Sequence, residues 1–128
     1  MLNPTGGKLR KRDAHGSGDY LASRNGKIHR GRDYVCTPGQ VVISPIGGRI
    51  IRISRPYLVG EYSGVVVRNN KMTIKMWYFE PYPCIVGRDV CQGQEIGRAQ
   101  DISIKYPGMV PHIHLEVDHL DPNLLINI

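Results

Sequence analysis

PHIHLEV, the stretch from Pro111 to Val117, alternates strictly between polar and apolar side chains. In an extended chain successive side chains point to opposite faces, so residues two apart lie about 6.5 Å from each other on one face. The polar set is His112, His114 and Glu116, and the apolar set is Ile113, Leu115 and Val117. The pattern predicts a strand that buries its apolar face in a core and turns two imidazoles and a carboxylate toward a cleft.

Short runs of β-branched residues, separated by turn residues, continue this pattern from residue 34 onward. The predicted strands are residues 40–44, 49–54, 64–68, 72–79 and 97–104. Asn69 and Asn70 favour a tight hairpin turn, because asparagine tolerates positive φ. With 15 glycines and 9 prolines, the chain has little room for a long helix. We therefore predict a mainly β protein with little helix, folded as a single compact antiparallel sheet or sandwich domain.

Length and composition indicate the number of domains and whether the chain carries a membrane-spanning or signal segment. A chain of 128 residues with 41% hydrophobic and 22% charged residues suits one soluble domain. Residues 1–18 are rich in glycine, serine and basic residues and are predicted to form an N-terminal arm or loop before a domain at 19–128. No apolar run is long enough to span a bilayer, and the first residues lack the apolar region of a signal peptide.

The formal net charge of +6 is spread over scattered lysines and arginines. No RNP-like or helix-turn-helix pattern accompanies them, so we expect no specific nucleic-acid partner. An anionic surface such as a bacterial wall polymer explains the charge equally well. A solvated basic surface without any partner is the remaining alternative.

A second cluster, His29-Arg30-Gly31-Arg32-Asp33, gives the two histidines a chemical context. Alone, an HxH pair is more often a solvated strand face than a metal site. His29 and Asp33 can converge if the backbone turns at Gly31, where no Cβ limits it. With His114 they supply two nitrogens and one oxygen. Three protein ligands with a fourth position for water are typical of catalytic zinc, so the sequence predicts one zinc in a groove.

The motifs HRGRD and HIH resemble the H-x-G-x-D and H-x-H signature of lysostaphin-type zinc metallopeptidases, which cut peptide cross-links in bacterial cell walls. SPIGGRI at 44–50 and VCQGQEIG at 90–97 resemble the intervening hairpin and turn of that family. Within the family, residues 12–18, 75–81 and 106–108 are most similar to the leukocyte cell-derived chemotaxin branch. The resemblance covers residues 8 to 125 or so.

This resemblance implies that His29, Asp33 and His114 bind Zn²⁺ and that His112 handles a proton. Tyr78 stands where the family has a second catalytic histidine, and a phenol with an ordinary pKa near ~10 is a poor base at neutral pH. Glu116 shares the strand face with the histidines. It either fixes an imidazole tautomer and contributes to the catalytic set with His112 and Tyr78, or is an exposed strand carboxylate.

Two functions follow from the resemblance and stay open. The first is a peptidoglycan metalloendopeptidase, encoded by a phage or a bacterium, that hydrolyses wall peptide cross-links by zinc-activated water, with activity weakened by Tyr78. The second is a catalytically silent, chemotaxin-like zinc-binding module that recognises a wall polymer or a receptor. The expected location is extracellular, periplasmic or virion-associated. Oligomeric state, including membership of a larger assembly, is left open, as is pairing between Cys84 and Cys91.

Overall fold

Short antiparallel strands form almost all of the regular structure in the computed structural model, which describes residues 1–11, 23–24, 27–28, 31–118 and 120–126. The strands are β1 (Ser23–Arg24), β2 (Lys27–Ile28), β3 (Arg32–Val35), β4 (Val41–Ile43), β5 (Gly48–Ser54), β6 (Gly64–Arg68), β7 (Thr73–Trp77), β8 (Phe79–Pro81), β9 (Asp89–Val90), β10 (Glu95–Ala99) and β11 (His112–Val117). Two 3₁₀ helices, Ile102–Ile104 and Pro122–Leu124, are the helices of the described residues. The prediction of a mainly β protein with little helix is confirmed.

The strands form one large sheet and one small sheet. The large sheet has six strands in the order β3-β11-β7-β6-β5-β9, and the small sheet has the order β4-β10-β8. Among the described residues, β1 and β2 form a separate two-stranded sheet. Every pairing is antiparallel. In the described part of the chain no helix is long and apolar enough to cross a membrane.

β11 lies between β3 and β7 and anchors the core. Its three apolar side chains, Ile113, Leu115 and Val117, are 0–2% exposed and belong to the core cluster. They pack with apolar side chains of both sheets, among them Met76 and Phe79. Complete burial of side chains of this size contributes about 1.5–3 kcal/mol each. The predicted alternation is therefore the feature that fixes which face of β11 is inside.

Two predicted strands and one turn differ from the sequence expectation. Residues 97–104 are not one strand, because β10 ends at Ala99 and Asp101 caps the first 3₁₀ helix by accepting from Ser103 N at 3.0 Å. The turn after β6 has four residues. It closes through Asn69, whose Oδ1 accepts from the backbone N of Met72 at 3.0 Å. Neither asparagine is among the described residues with positive φ.

Residues 72–79 also do not form one strand, because the chain breaks between β7 and β8 at Tyr78. Tyr78 has a φ of +79°, a left-handed conformation that is uncommon for a residue with a side chain. Its backbone N and that of Phe79 both donate to the carbonyl of Ser63, at 2.7 and 3.1 Å. Two consecutive amides directed at one carbonyl interrupt the alternation, and this reorients the side chain of Tyr78.

Residues 1–11 lie against the domain. The backbone N of Arg10 donates to the carbonyl of Asp33 at 2.7 Å, and that of Val35 donates to the carbonyl of Lys8 at 2.8 Å. These bonds add a short extended segment to the free edge of β3 in the large sheet. Residues 12–18 of the predicted arm lie outside the described residues.

Candidate metal and catalytic site

The pairing of β3 with β11 brings the two sequence motifs together. Asp33 and His114 lie directly opposite each other in the register. The Nδ1 atom of His114 is 3.0 Å from Oδ1 of Asp33, and Nε2 of His112 is 3.5 Å from Oδ2. Asp33, His112 and His114 are 0%, 2% and 5% exposed. The polar face of β11 is thus a buried cluster rather than a solvated strand face.

The second nitrogen of His114 is also held by a carboxylate. Its Nε2 lies 3.0 Å from Oε1 of Glu116, and Glu116 in turn lies 3.7 Å from Nζ of Lys75. Burial lowers the pKa of His114, but the hydrogen bonds to Asp33 and Glu116 raise it by more, so the net shift is upward. The sequence left open whether Glu116 contacts an imidazole or is an exposed strand carboxylate, and the structure places it against His114.

His112 has a different environment on the same strand face. Its Nδ1 lies 2.7 Å from the carbonyl oxygen of Val110. Because a carbonyl only accepts, Nδ1 must carry the proton, which leaves Nε2 as the bare nitrogen of the neutral ring. Burial lowers the pKa of His112, a stronger effect than the raising by the Asp33 carboxylate. The neutral ring thus directs a free lone pair toward the cluster.

Aromatic rings enclose both histidines. The ring of Trp77 stacks on His114 with a centroid distance of 4.9 Å and an angle of 19°. Tyr78 meets His112 edge to face, at 5.2 Å and 83°. The indole N of Trp77 donates to Oγ of Ser54 at 2.8 Å, which fixes the indole over the histidine. The break at Tyr78 thus brings the predicted residue next to His112.

Tyr57, from the loop between β5 and β6, extends this aromatic wall. Its hydroxyl lies 3.2 Å from that of Tyr78, and the Nζ atom of Lys105 lies 4.6 Å from its ring centroid. Burial, followed by the hydrogen bond with Tyr78, raises the pKa of Tyr57. Sequence reasoning missed the contacts of Tyr57 and Trp77. Tyr57 lies in a loop without a motif, and Trp77, although it lies in the segment 75–81, reaches His114 only through the pairing of β7 with β11.

Arg10 is another site residue that the sequence did not reveal. Its Nη1 donates to Oδ2 of Asp33 at 2.8 Å, and both side chains are 0% exposed. In the sequence Arg10 belongs to a basic run, Lys8-Leu9-Arg10-Lys11, of the kind usually found on a solvated surface. Nothing in that run distinguishes the buried arginine from its neighbours.

Gly31 allows the close approach of β3 to β11. A Cβ at this position would lie 2.3 Å from the carbonyl oxygen of Leu115 and 3.0 Å from Cγ of Glu116. Its φ is not among the positive values, although the chain bends here. The glycine is therefore required for packing, whereas the sequence had suggested a turn that only glycine permits.

Asp33 and His114 are two of the three predicted metal ligands, and His29 lies outside the described residues. Within the described ranges, no group of three or more His, Cys, Asp or Glu residues is arranged to hold a metal ion. The two residues fit a zinc site in one respect. Ligand atoms of a tetrahedral zinc with bonds of ~2.0–2.1 Å are about 3.3 Å apart, close to the 3.0 Å between Oδ1 and Nδ1.

Comparison with known proteins gives two findings. No family model matches the sequence. The bovine leukocyte cell-derived chemotaxin-2 from Bos taurus is 33% identical over 122 residues, which cover 93% of this chain and 80% of that protein.

Solved structures share the fold. A Helicobacter pylori structure superposes with a TM-score of 0.71 at 20% identity, and the match covers all of this chain but only 33% of that one. The catalytic domain of the antimicrobial peptidase lysostaphin from Staphylococcus simulans gives a TM-score of 0.51 at 25% identity, with coverage of 84% and 79%. The motifs, the fold and the bovine relative agree, and the chain belongs to the lysostaphin-type metallopeptidase family, in its leukocyte cell-derived chemotaxin branch.

Proposed function

We propose that this domain binds one Zn²⁺ through His29, Asp33 and His114 and uses it to hydrolyse peptide bonds. The observation that carries the proposal is the 3.0 Å separation of Asp33 Oδ1 and His114 Nδ1 in a buried cluster. The contact of His114 Nε2 with Glu116 adds to it. A metal-ligating histidine commonly donates its other ring N–H to a carboxylate, which fixes the tautomer that binds the metal. Glu116 has this positioning role in the proposal.

Zinc bound at such a site supplies Lewis acidity, with which it lowers the pKa of water and polarises a substrate carbonyl. The protein residues then orient the reactants and move protons. His112 directs its bare Nε2 into the same cluster, 3.5 Å from Oδ2 of Asp33. It is in the correct tautomer to take a proton from an attacking nucleophile and to return it to the leaving amine.

Tyr78 contributes an O–H rather than an imidazole. Its ring contacts His112, and its hydroxyl contacts that of Tyr57. A hydroxyl at this position can donate a hydrogen bond to a developing oxyanion but does not replace a base. We therefore expect slow hydrolysis, since a well-placed general base contributes about 10²–10⁴-fold.

The proposed substrate is the peptide cross-link of bacterial peptidoglycan. Family membership and the net charge of +6, which attracts an anionic wall polymer, support this substrate. Because the substrate lies in the cell wall, the proposal also places the protein outside the cell, in the periplasm or on a virion.

A second function is favoured by one observation, the pairing of the Tyr57 and Tyr78 hydroxyls at 3.2 Å. If this pair occupies the oxyanion position permanently, the zinc site serves a silent binding module. Such a module would recognise a wall polymer or a receptor, in line with the bovine chemotaxin similarity.

The experiment is zinc analysis of the purified protein, combined with counting the amino groups released from labelled peptidoglycan. We expect one zinc per chain and slow zinc-dependent release. His112→Ala should reduce the release, and Tyr78→His should increase it. Tyr82→His is the matched control, because it makes the same change at a tyrosine on the far side of β8 from Tyr78, whereas it is Tyr78 whose ring contacts His112. If the wild type and Tyr78→His both bind zinc but release no amino groups, the result would contradict hydrolysis and favour the binding module.

A further inference from the structure

Arg10 places a guanidinium against the carboxylate at the centre of the site. The Nη1–Oδ2 distance to Asp33 is 2.8 Å, and neither side chain is exposed to solvent. Ion pairs on the surface contribute little, but a buried guanidinium that donates to a carboxylate strongly restricts the geometry of its partner. Asp33 thus has one oxygen in a defined, charge-assisted hydrogen bond.

The backbone holds Arg10 in register with Asp33. The Arg10 amide donates to the carbonyl of Asp33 at 2.7 Å, so the same residue is contacted through its main chain and its side chain. A bridge between Leu9 and Tyr34 continues this pairing by one residue. Gly7, three residues before Arg10, could not carry a Cβ, because it would lie 1.9 Å from the carbonyl oxygen of Val35. The segment therefore has little freedom to slide along β3.

The two oxygens of Asp33 are thereby divided between two tasks. Oδ2 faces Arg10 at 2.8 Å and His112 at 3.5 Å, whereas Oδ1 faces Nδ1 of His114 at 3.0 Å. The terminal torsion of an aspartate has a broad minimum, so the carboxylate plane is not fixed by its own rotamer. The buried hydrogen bond from Arg10 to Oδ2 restrains that torsion while Oδ1 faces His114, where the metal is expected.

We propose that Arg10 is a positioning residue for zinc, which orients the Asp33 carboxylate so that Oδ1 binds the metal together with His114. This inference rests on the proposed zinc site and adds to it a residue from outside both sequence motifs. Removal of partners that orient metal ligands typically reduces metal affinity by about 10–100-fold.

The test compares two substitutions at Arg10 with a matched control. Arg10→Met keeps the length of the side chain and removes the charge, and Arg10→Lys keeps the charge and removes the planar fork. Arg32→Met is the control, because Arg32 precedes Asp33 in β3 and also forms an ion pair with an aspartate, Asp121, at 2.7 Å. The dissociation constant for Zn²⁺ is measured by competition with a chromophoric chelator, and the urea stability of each zinc-free protein is measured separately.

We expect Arg10→Met to weaken zinc binding by about tenfold or more, with Arg10→Lys intermediate. Arg32→Met should lose stability and keep the zinc affinity of the wild type. If Arg10→Met does not fold, the lysine variant decides, since equal affinity in Arg10→Lys and wild type overturns the inference. An equal loss of affinity in Arg32→Met also overturns it, because the effect would then be one of general stability. A wild type that binds no zinc overturns both this inference and the proposed function, whereas zinc-bound variants of unchanged affinity overturn the inference alone.

Discussion

Replacing Gly31 with alanine tests the close packing of β3 on β11. The added Cβ would lie 2.3 Å from the carbonyl oxygen and 2.9 Å from the carbonyl carbon of Leu115. Both atoms belong to the backbone of a buried strand and cannot rotate away as a flexible side chain would. β3 must therefore move away from β11 by about an ångström to restore an ordinary contact of ~3.4 Å or more. That movement separates Asp33 from His114.

Two contributions determine how much Gly31→Ala lowers the free energy of unfolding. Overpacking a well-packed region costs about 1–3 kcal/mol, and each ladder hydrogen bond that lengthens loses up to about 1 kcal/mol. The expected loss is ~2–4 kcal/mol from a total stability of ~5–15 kcal/mol. For a domain of this size, at about 4 °C per kcal/mol, the melting temperature should fall by ~8–16 °C.

Urea unfolding followed by the fluorescence of Trp77, the single tryptophan, measures this loss. Gly47→Ala is the matched control, because its Cβ would meet atoms only at 3.5 and 3.6 Å, and its φ is not positive. That variant should be unchanged or more stable by about 0.4–1 kcal/mol. Zinc affinity should fall in Gly31→Ala only. If both variants unfold at the same urea concentration, the close approach is not the reason for glycine at position 31.

In zinc competition titrations, Glu116→Gln should weaken zinc binding by about tenfold. The control is Glu95→Gln, at an exposed position of β10, which should bind zinc as the wild type does. Equal zinc affinity in both variants would contradict the role given to Glu116. Burial raises the pKa of Asp121, but the hydrogen bonds from Arg32 and a neighbouring amide lower it by more. The Arg32–Asp121 ion pair therefore stabilises the fold above about pH 4 and loses this effect as the pH falls. Asp121→Asn should lower the free energy of unfolding by about 0.5–1 kcal/mol near neutral pH and by less in acid. An equal loss in acid would refute the linkage. Burial raises the pKa of Cys36 to about 12, whereas the other two cysteines are free and exposed. A disulfide reagent should therefore label two thiols in the native protein and the third only after unfolding, and any other native count would be inconsistent with this structure.

The alternation at Pro111–Val117 was sufficient to predict β11, its buried face and the direction of both histidines. Each of these depends only on the period of an extended chain, which is a local property. The facing of Asp33 and His114 was also predictable, but through the family resemblance rather than through local spacing. Their register results from strand pairing over 81 residues of separation, which no short pattern encodes.

Features that depend on tertiary contacts were not predictable. The stretch Met72–Phe79 looks like one strand because nothing in its composition indicates a break. The break at Tyr78 arises because two amides share the carbonyl of Ser63, a partner from the loop between β5 and β6. Arg10 was assigned to an arm for a related reason, since its burial depends on a carboxylate 23 residues away. In both cases a distant partner overrides the local preference of the chain.

The two histidines of β11 show what the structure adds to the roles that the family resemblance implies. They occupy equivalent positions on one strand face, two residues apart, and local spacing does not distinguish them. One has its Nδ1 held by a backbone carbonyl and a lowered pKa, while the other lies between two carboxylates with a raised pKa. Groups of one type whose environments push their pKa values in opposite directions are suited to different tasks. In the proposed function, the carboxylates around His114 favour a bound cation, whereas the carbonyl at His112 leaves Nε2 as the nitrogen that accepts a proton. Metal binding and proton transfer would then belong to different histidines of one strand.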